Sequence, residues 1–425
     1  MSLANEASLL LIPSGYKSGK VYSVFPTDGD GDFTFSRGSD GTRKGAGGLI
    51  ETMSSNIPRL DYLNSDCPSL LLEPQRTNLM LFSEEFSGTS WASLRTTITA
   101  NTVISPDGAM SGNTFQRTST STSYLVHNIS KSASAITYTT SAFIKKGSDD
   151  YFAMRVQGSY PSRVDIRFRF DTEQIYYAVA VSNFTLINSD VQNYSNGWYR
   201  LSFTYTTDTN TNLAVSFSPR ASNGNIDSGD TSSNSFAYVW GAQTEVGNYL
   251  TNYIKTTSGT VTRQKDFIDG AGSSSLFNSL ESTFFVEMAS FLNAQINSNG
   301  IELAGVGSQN RITLQYDTAP YNQIRCDVRV LNSQQAIITT SSFDVTNFNK
   351  MAITYKLNEV KFYVNGQLIG TDTSVNTFAP NTLSEVRSTI ADISNDAFNL
   401  QAKIKDLRVY DRALTQAEAI ELTTL

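Results

Sequence analysis

Between about residues 85 and 265 apolar and polar positions alternate in short runs separated by joints rich in Ser, Thr, Asn and Gly. In RVDIRFRF, 163–170, Val164, Ile166, Phe168 and Phe170 fall on one side, and Arg163, Asp165, Arg167 and Arg169 on the other. That two-residue period is the signature of a half-buried strand with a charged outer face. Further runs stand at 123–129, 135–146, 151–158, 198–207, 213–219 and 236–246, with no helical period between them. Recurrent strands joined by polar turns predict an antiparallel sandwich or jelly roll over 85–265.

The tract DFIDGAGSSSLFN interrupts this pattern and reads as a linker, 266–280, before a second β region at 281–425. Within that region MAITYKLNEVKFYVNGQLIG holds two alternating runs separated by Leu-Asn-Glu, and the second run ends at Asn365-Gly366. Asn-Gly favours a type I′ turn, so a β-meander is expected. Thr415 followed by Glu418 has capping-box spacing and predicts one short terminal helix, with Ile420 and Leu422 turned toward a sheet edge. Residues 1–84 have many glycines and only short apolar runs, of which SLLLEP, 69–74, is a strand stopped by Pro74. The predicted fold class is mostly β: an irregular N-terminal anchor followed by two antiparallel sandwich or jelly-roll domains.

Composition narrows the chemistry. The 425 residues include one histidine, His127, and only 17% are charged. A Ser-His-Asp triad would have to be built around that residue, and a zinc set would need Cys67, Cys326 and His127 from distant segments, so neither is expected. His127 shares a strand face with Leu125 and Ile129, which favours a structural role. Cys67 and Cys326 have no redox or ligand partner nearby in sequence and read as packing residues or dispensable thiols. A net charge of -7 argues against general phosphate-backbone binding, so no nucleic-acid partner is expected. The first residues lack a basic region, and Leu9–Ile12 is too short for a signal core or a membrane span, so neither Sec export nor insertion is expected.

No catalytic, cofactor or metal site is assigned, but several residues are candidates for binding. Trp91, Trp198 and Trp240 offer ring faces for sugars, although the last two sit in recurrent strand phrases that suit a core. Tyr151, Tyr160, Tyr176 and Tyr177 offer a wet aromatic surface. A glycosidase needs two carboxylates about 5–10 Å apart. Glu281 and Glu287 share a candidate strand but stand six positions apart, so hydrolysis is disfavoured. Structural calcium would draw on Asp317, Asp327, Asp372 and Asp392, whose spacing is not diagnostic, and DGDGD at 28–32 reads as a turn because no acidic residue stands at the twelfth position. Asp406 and Asp411 are expected to shape a turn and the approach to the helix. Arg76, Thr77 and Asn78 are expected to hydrogen-bond one domain's starting loop to the next.

Three phrases carry a family resemblance. LLLEPQRTNL at 70–79, with Phe82-Ser83-Glu84 and Trp91 downstream, and WGAQTE at 240–245 followed by YIKTTSGTVTR at 253–263 resemble bacteriophage virion proteins with a carbohydrate-binding-module-like jelly roll. FSRGS at 35–39 and PRLDY at 58–62 extend the likeness, while Lys255 stands where the family often has Pro. FYVNG at 362–366 and IKDLRVYDRALT at 404–415 resemble a concanavalin A-like, laminin-G-like sandwich. The resemblance implies a virion accessory protein, a head fibre, capsid decoration or tail component, assembled in the host cytoplasm and exposed on the particle. Residues 1–84 would attach to other virion proteins and the β domains would project. It also implies, as an alternative, recognition of surface glycans. A homotrimer is the fibre-like expectation, without a heptad repeat to enforce it.

Overall fold

The computed structural model describes residues 2–292, 299–307, 309–317, 322–388 and 400–425. Strands dominate, the pairings among the described residues are antiparallel, and the chain divides into two compact units. One comprises Met1–Asp40, Met53–Pro74 and Gln264–Leu425, and the other Gly41–Thr52 and Gln75–Arg263.

The unit built on Gln75–Arg263 is a jelly-roll-like sandwich of two six-stranded sheets. The first runs Trp91–Leu94, Tyr124–Ser130, Asn212–Arg220, Tyr151–Gln157, Arg163–Arg169, Gln174–Val181. The second runs Thr96–Val103, Gly112–Arg117, Phe236–Val246, Thr137–Lys146, Trp198–Thr206, Thr185–Tyr194. Alternation places Val164, Ile166 and Phe168 in one core with Phe152, Val215, Leu201 and Phe203, while Arg163, Arg167 and Arg169 stay on the outer face. On the other side of the second sheet, Phe143, Trp198 and Trp240 form a smaller core with Ile50 and Tyr253. Gly41–Thr52 therefore belongs here, and Thr42 donates to the Tyr253 carbonyl at 2.6 Å.

The other unit packs an eight-stranded sheet against a five-stranded one around Phe284, Val286, Ile353, Phe362, Leu303, Leu314 and Cys326. The expected meander is present as Asn349–Lys356, Glu359–Val364 and Gln367–Asp372. Asn365 (φ 47°) and Gly366 (φ 77°) supply the two positive angles that a type I′ turn requires. Thr415 caps the helix Gln416–Thr423 through a complete capping box. The helix covers the face of the larger sheet rather than an edge, placing Ala419 and Leu422 among Phe285, Ala352 and Tyr363.

Residues 1–84 do not form a region apart. Leu9–Leu11 pairs with Ala402–Tyr410, and so does Ser69–Leu72, extended in turn by Leu60–Asp61. Phe33–Ser36 pairs with Phe267–Asp269, which lies in the tract read as a linker. Short apolar runs with no core of their own complete a sheet whose other strands lie far along the chain. The resembling phrases FSRGS, PRLDY and LLLEP meet in a buried ionic cluster. Arg37 donates to Asp266 at 3.1 Å, Arg59 donates to Glu73 at 2.7 Å and also to Asp266, and the Glu73 amide donates to Asp266 at 2.9 Å. All four side chains are essentially inaccessible. Burial opposes the charge of Arg59, but its two carboxylate partners outweigh it and hold the guanidinium above its ordinary range.

Candidate functional site

The outer face of the jelly roll's first sheet gathers polar side chains that packing does not demand. Across the hairpin Tyr151–Gln157 and Arg163–Arg169, Tyr151 stands opposite Arg169, Ala153 opposite Arg167, and Arg155 opposite Asp165. The next strand carries a bulge in which Tyr176 and Tyr177 together oppose Arg167. Such a bulge lets two successive side chains turn to one face. Tyr177 lies under the Arg167 guanidinium, 3.9 Å from ring to Cζ, and Tyr176 meets Tyr151 edge-on at 6.0 Å. Arg169 stands over Tyr151 at 5.5 Å.

Carboxylates are interleaved with these cations. Asp165 accepts from Arg155 Nε at 2.6 Å and Arg163 Nε at 2.9 Å, while Arg169 pairs with Asp171. Burial opposes the charge of Arg155, yet its hydrogen bonds to Asp165 and Asp227 hold its pKa above the usual value. Arg117 and Arg220 flank one carboxylate, Asp230, at 3.7 and 3.4 Å, and burial lowers both guanidinium pKa values. Asp227 and Asp230 belong to residues 221–235, a loop of small polar residues with Ile226 as its one buried large apolar side chain. The arrangement presents ring faces beside planar donors, suited to holding a ligand with both apolar and hydroxylated or acidic surfaces.

Three of the four candidate tyrosines meet here. Tyr160 does not: it tops the far turn of the hairpin, 75% exposed, at the end of a strand that places it roughly 20 Å from Tyr151. Arg163, Arg167 and Arg169 were visible as an alternating polar row. Arg155 and the loop carboxylates were not, because Arg155 is flanked by apolar residues and the loop's composition is that of any turn.

None of the tryptophans is available as a platform. Trp198 and Trp240 are buried, donating to Ile104 O at 2.9 Å and Ser111 Oγ at 3.0 Å. Trp91 is also in the core, against Phe86 and His127, with its indole N–H donating to Leu81 O at 3.1 Å. His127 Nε2 accepts from the Leu81 amide at 3.1 Å, and burial pulls its pKa down to about 4, so the ring is neutral. Cys326 lies in the sandwich core, where burial lifts its thiol to about 12, and Cys67 is exposed.

Arg76, Thr77 and Asn78, expected to bond one domain's starting loop to the next, make the following bonds within the jelly-roll unit. Asn78 donates to Ala242 O and Ile254 O, Thr77 meets Thr262 at 2.8 Å, and Arg76 lies 3.9 Å from Glu245 and over Tyr249. They occupy a strand paired with Val261–Arg263, so their polar groups close the unit's own ends.

The carboxylates considered for calcium are already engaged. Asp317 and Asp327 pair with Arg325, Asp327 also with Arg329, and Asp372 accepts from the Ser374 amide. Asp392 lies outside the described residues. In DGDGD, Asp28 accepts from the Asp30 amide and Asp32 from the Ser23 amide, as in a turn. Among the described residues no group of three His, Cys, Asp or Glu side chains is placed to hold a metal ion. Glu287 stands between Lys350 and Asp406 in the ladder, and burial raises its pKa, while Glu281 precedes the strand. Asp406 lies within a strand, bound to Arg408, and does not shape a turn. No described helix is long and apolar enough to cross a membrane.

Residues 286–419 match a family model described as the concanavalin A-like lectin/glucanases superfamily, in agreement with the sandwich found there. No curated protein matches the chain. Among solved structures, the chain is similar to the CBM40 of a Ruminococcus gnavus IT-sialidase bound to alpha2,3 sialyllactose, at 15% identity and TM-score 0.30, covering 36% of this chain and 93% of that one. A SAP-like pentraxin from Limulus polyphemus is similar at 16% identity and TM-score 0.29, covering 34% and 70%. A leech intramolecular trans-sialidase is similar at 15% identity and TM-score 0.31, covering 37% and 26%. Likeness at this level bears on neither ligand nor chemistry.

Proposed function

We propose that the chain is a non-catalytic glycan-binding adhesion protein whose ligand surface is the tyrosine-arginine face of the jelly-roll unit. The observation that carries this reading is the grouping of Tyr151, Tyr176 and Tyr177 with Arg167 and Arg169 on an outer sheet face. The inward residues of the same strands supply the core, which includes none of these side chains. Ring faces cover the apolar side of a sugar, and guanidinium donors orient its hydroxyls. The lectin component of the superfamily matched at 286–419 is compatible with adhesion by the other unit too.

A glycan array followed by calorimetry on the best sugar tests it. Tyr177→Ala is expected to weaken binding about tenfold, the equivalent of roughly 1.4 kcal/mol, while Tyr160→Ala leaves it unchanged. Absence of binding to any sugar, or equal affinity in the Tyr177 variant, would refute the assignment. Display on a bacteriophage particle is a second reading, favoured by the phrases at 70–79 and 240–263. Antibody labelling of purified particles in electron micrographs tests it, and unlabelled particles that nonetheless lack no structural protein would count against it.

A further inference from the structure

Residues 221–230 lie on the same face through two kinds of contact. Near its end the loop is fixed: Asp230 is inaccessible, accepts from the Ala221 amide at 2.9 Å and Ser222 Oγ at 2.8 Å, and faces Arg117 and Arg220. Its middle is held differently. Asn223 O accepts from Arg167 Nη1 at 2.8 Å and from the Tyr176 hydroxyl at 3.3 Å. Asp227 Oδ1 lies 2.6 Å from Arg155 Nη1, yet the Asp227 side chain is 52% exposed.

Arg155 is incompletely used by this contact. Its Nε serves Asp165 and its Nη1 serves Asp227, but its buried Nη2 has no hydrogen-bond partner among the described residues. Arg167 has a buried Nε in the same condition and no carboxylate partner among the described residues. Among the described residues around the face, Arg117, Arg155, Arg163, Arg167 and Arg169 with Arg220 and Lys146 are opposed by Asp150, Asp165, Asp171, Asp227 and Asp230, so positive charge is in excess. A guanidinium fork is best satisfied by a carboxylate that takes two parallel N–H groups, and Asp227 takes one.

We propose that Asp227 is an internal occupant of an acidic-sugar subsite, and that a carboxylate-bearing oligosaccharide displaces it, accepting from Arg155 Nη1 and Nη2 together. The proposal rests on the glycan-binding reading and names its ligand class. No covalent bond is made or broken; one carboxylate replaces another as the half-exposed Asp227 side chain turns toward solvent, while the backbone stays held by Thr122 Oγ1 on Asp227 O and by Arg220 on Ser228 O. The Asp227 carboxylate thus sets a threshold that neutral sugars cannot overcome at this position and acidic ones can.

The test is calorimetric binding of an oligo-hexuronate, of sialyllactose and of neutral lactose to the full chain and to Asp227→Asn, which keeps the shape and removes the charge. The expected result is about tenfold tighter binding of at least one acidic sugar to the variant, with lactose affinity unchanged. Arg155→Gln is expected to erase the preference for acidic over neutral sugar; because Arg155 also holds Asp165, its tryptophan emission and melting are checked alongside. Should that variant fail to fold, the comparison between Asp227→Asn and the parent still decides. Unchanged acidic affinity in Asp227→Asn overturns the internal-occupant proposal while leaving sugar binding intact. Tighter lactose binding in that variant assigns the loop a purely steric role and overturns the carboxylate class. Failure of both proteins to bind any of the sugars, together with a blank array, removes the underlying reading as well.

Discussion

Protonating His127 should destabilise the jelly-roll unit. The imidazole is buried against Trp91, and its Nε2 accepts a backbone N–H, so a proton there would break that hydrogen bond and place a charge in the core. Its pKa in the fold is about 4, against an ordinary 6.5. The unfolded chain therefore binds the proton first as pH falls. The contribution is fully present above 6.5 and is lost through the window down to 4. At about 1.36 kcal/mol per unit the whole effect is somewhat over about 3 kcal/mol, of which roughly 2 kcal/mol disappears between about pH 7 and about pH 5. Trp91, Trp198 and Trp240, the chain's three tryptophans, all lie in this unit, so denaturant titrations followed by tryptophan emission report on it alone. The parent should lose about 2 kcal/mol more than His127→Gln over that interval, since other titrating groups are common to both. A single histidine also yields a single imidazole resonance, whose midpoint can be read directly. A midpoint near 6.5, or equal pH slopes for parent and variant, would show that the ring is open to water and refute the reasoning.

Asp266→Asn leaves Arg37 and Arg59 buried with one carboxylate fewer and should cost about 3–5 kcal/mol, read as a lowered melting transition by far-ultraviolet circular dichroism. A loss below about 1 kcal/mol would mean that water reaches the cluster. A thiol reagent should modify exposed Cys67 in the native protein and buried Cys326 only after denaturation; rapid loss of both would contradict the burial that raises the Cys326 thiol to about 12. Thr415→Ala removes half of the capping box and should cost about 1 kcal/mol, measured as faster amide exchange in Gln416–Thr423. Glu418 is held down to about 2 by Arg412 and Thr415, so its support for that helix is present above 4.5 and lost as pH falls toward 2.

Local order was legible in the sequence where one segment specifies itself. The two-residue period of Val164, Ile166 and Phe168, the Asn365-Gly366 turn and the Thr415-Glu418 cap each depend on neighbours within a few residues. Long-range pairing was not. Leu9–Leu11 is three leucines, a run that fits any sheet, and nothing in it names Leu407–Val409 as its partner. Likewise nothing near Arg37 or Arg59 along the chain names Asp266, some two hundred residues on, as their partner. The candidate site was half legible: the arginine row and the Tyr176-Tyr177 pair stand in alternating strands, but a bulge decides that both tyrosines face outward. Trp91 misled because an indole beside a polar loop resembles a platform, whereas three aromatic partners and a carbonyl hold it inside.

The strand Arg76–Asn78 runs against Val261–Arg263, and this pairing has a consequence for how the molecule is made. The intervening stretch is an insert of roughly 190 residues in the middle of the other unit, and as an unstructured tether it would oppose closure by about 5 kcal/mol of chain entropy. Once folded, it delivers both of its ends to adjacent strands, roughly 5 Å apart, so Glu73 and Asp266 arrive as neighbours instead of as the ends of a long coil. During vectorial synthesis the insert is complete before Ala402–Tyr410 leaves the ribosome, and Leu9–Leu11 must wait for that strand. The insert thus serves as a clasp for its host, and a lesion that unfolds it should delay or prevent assembly of a unit whose own residues are untouched.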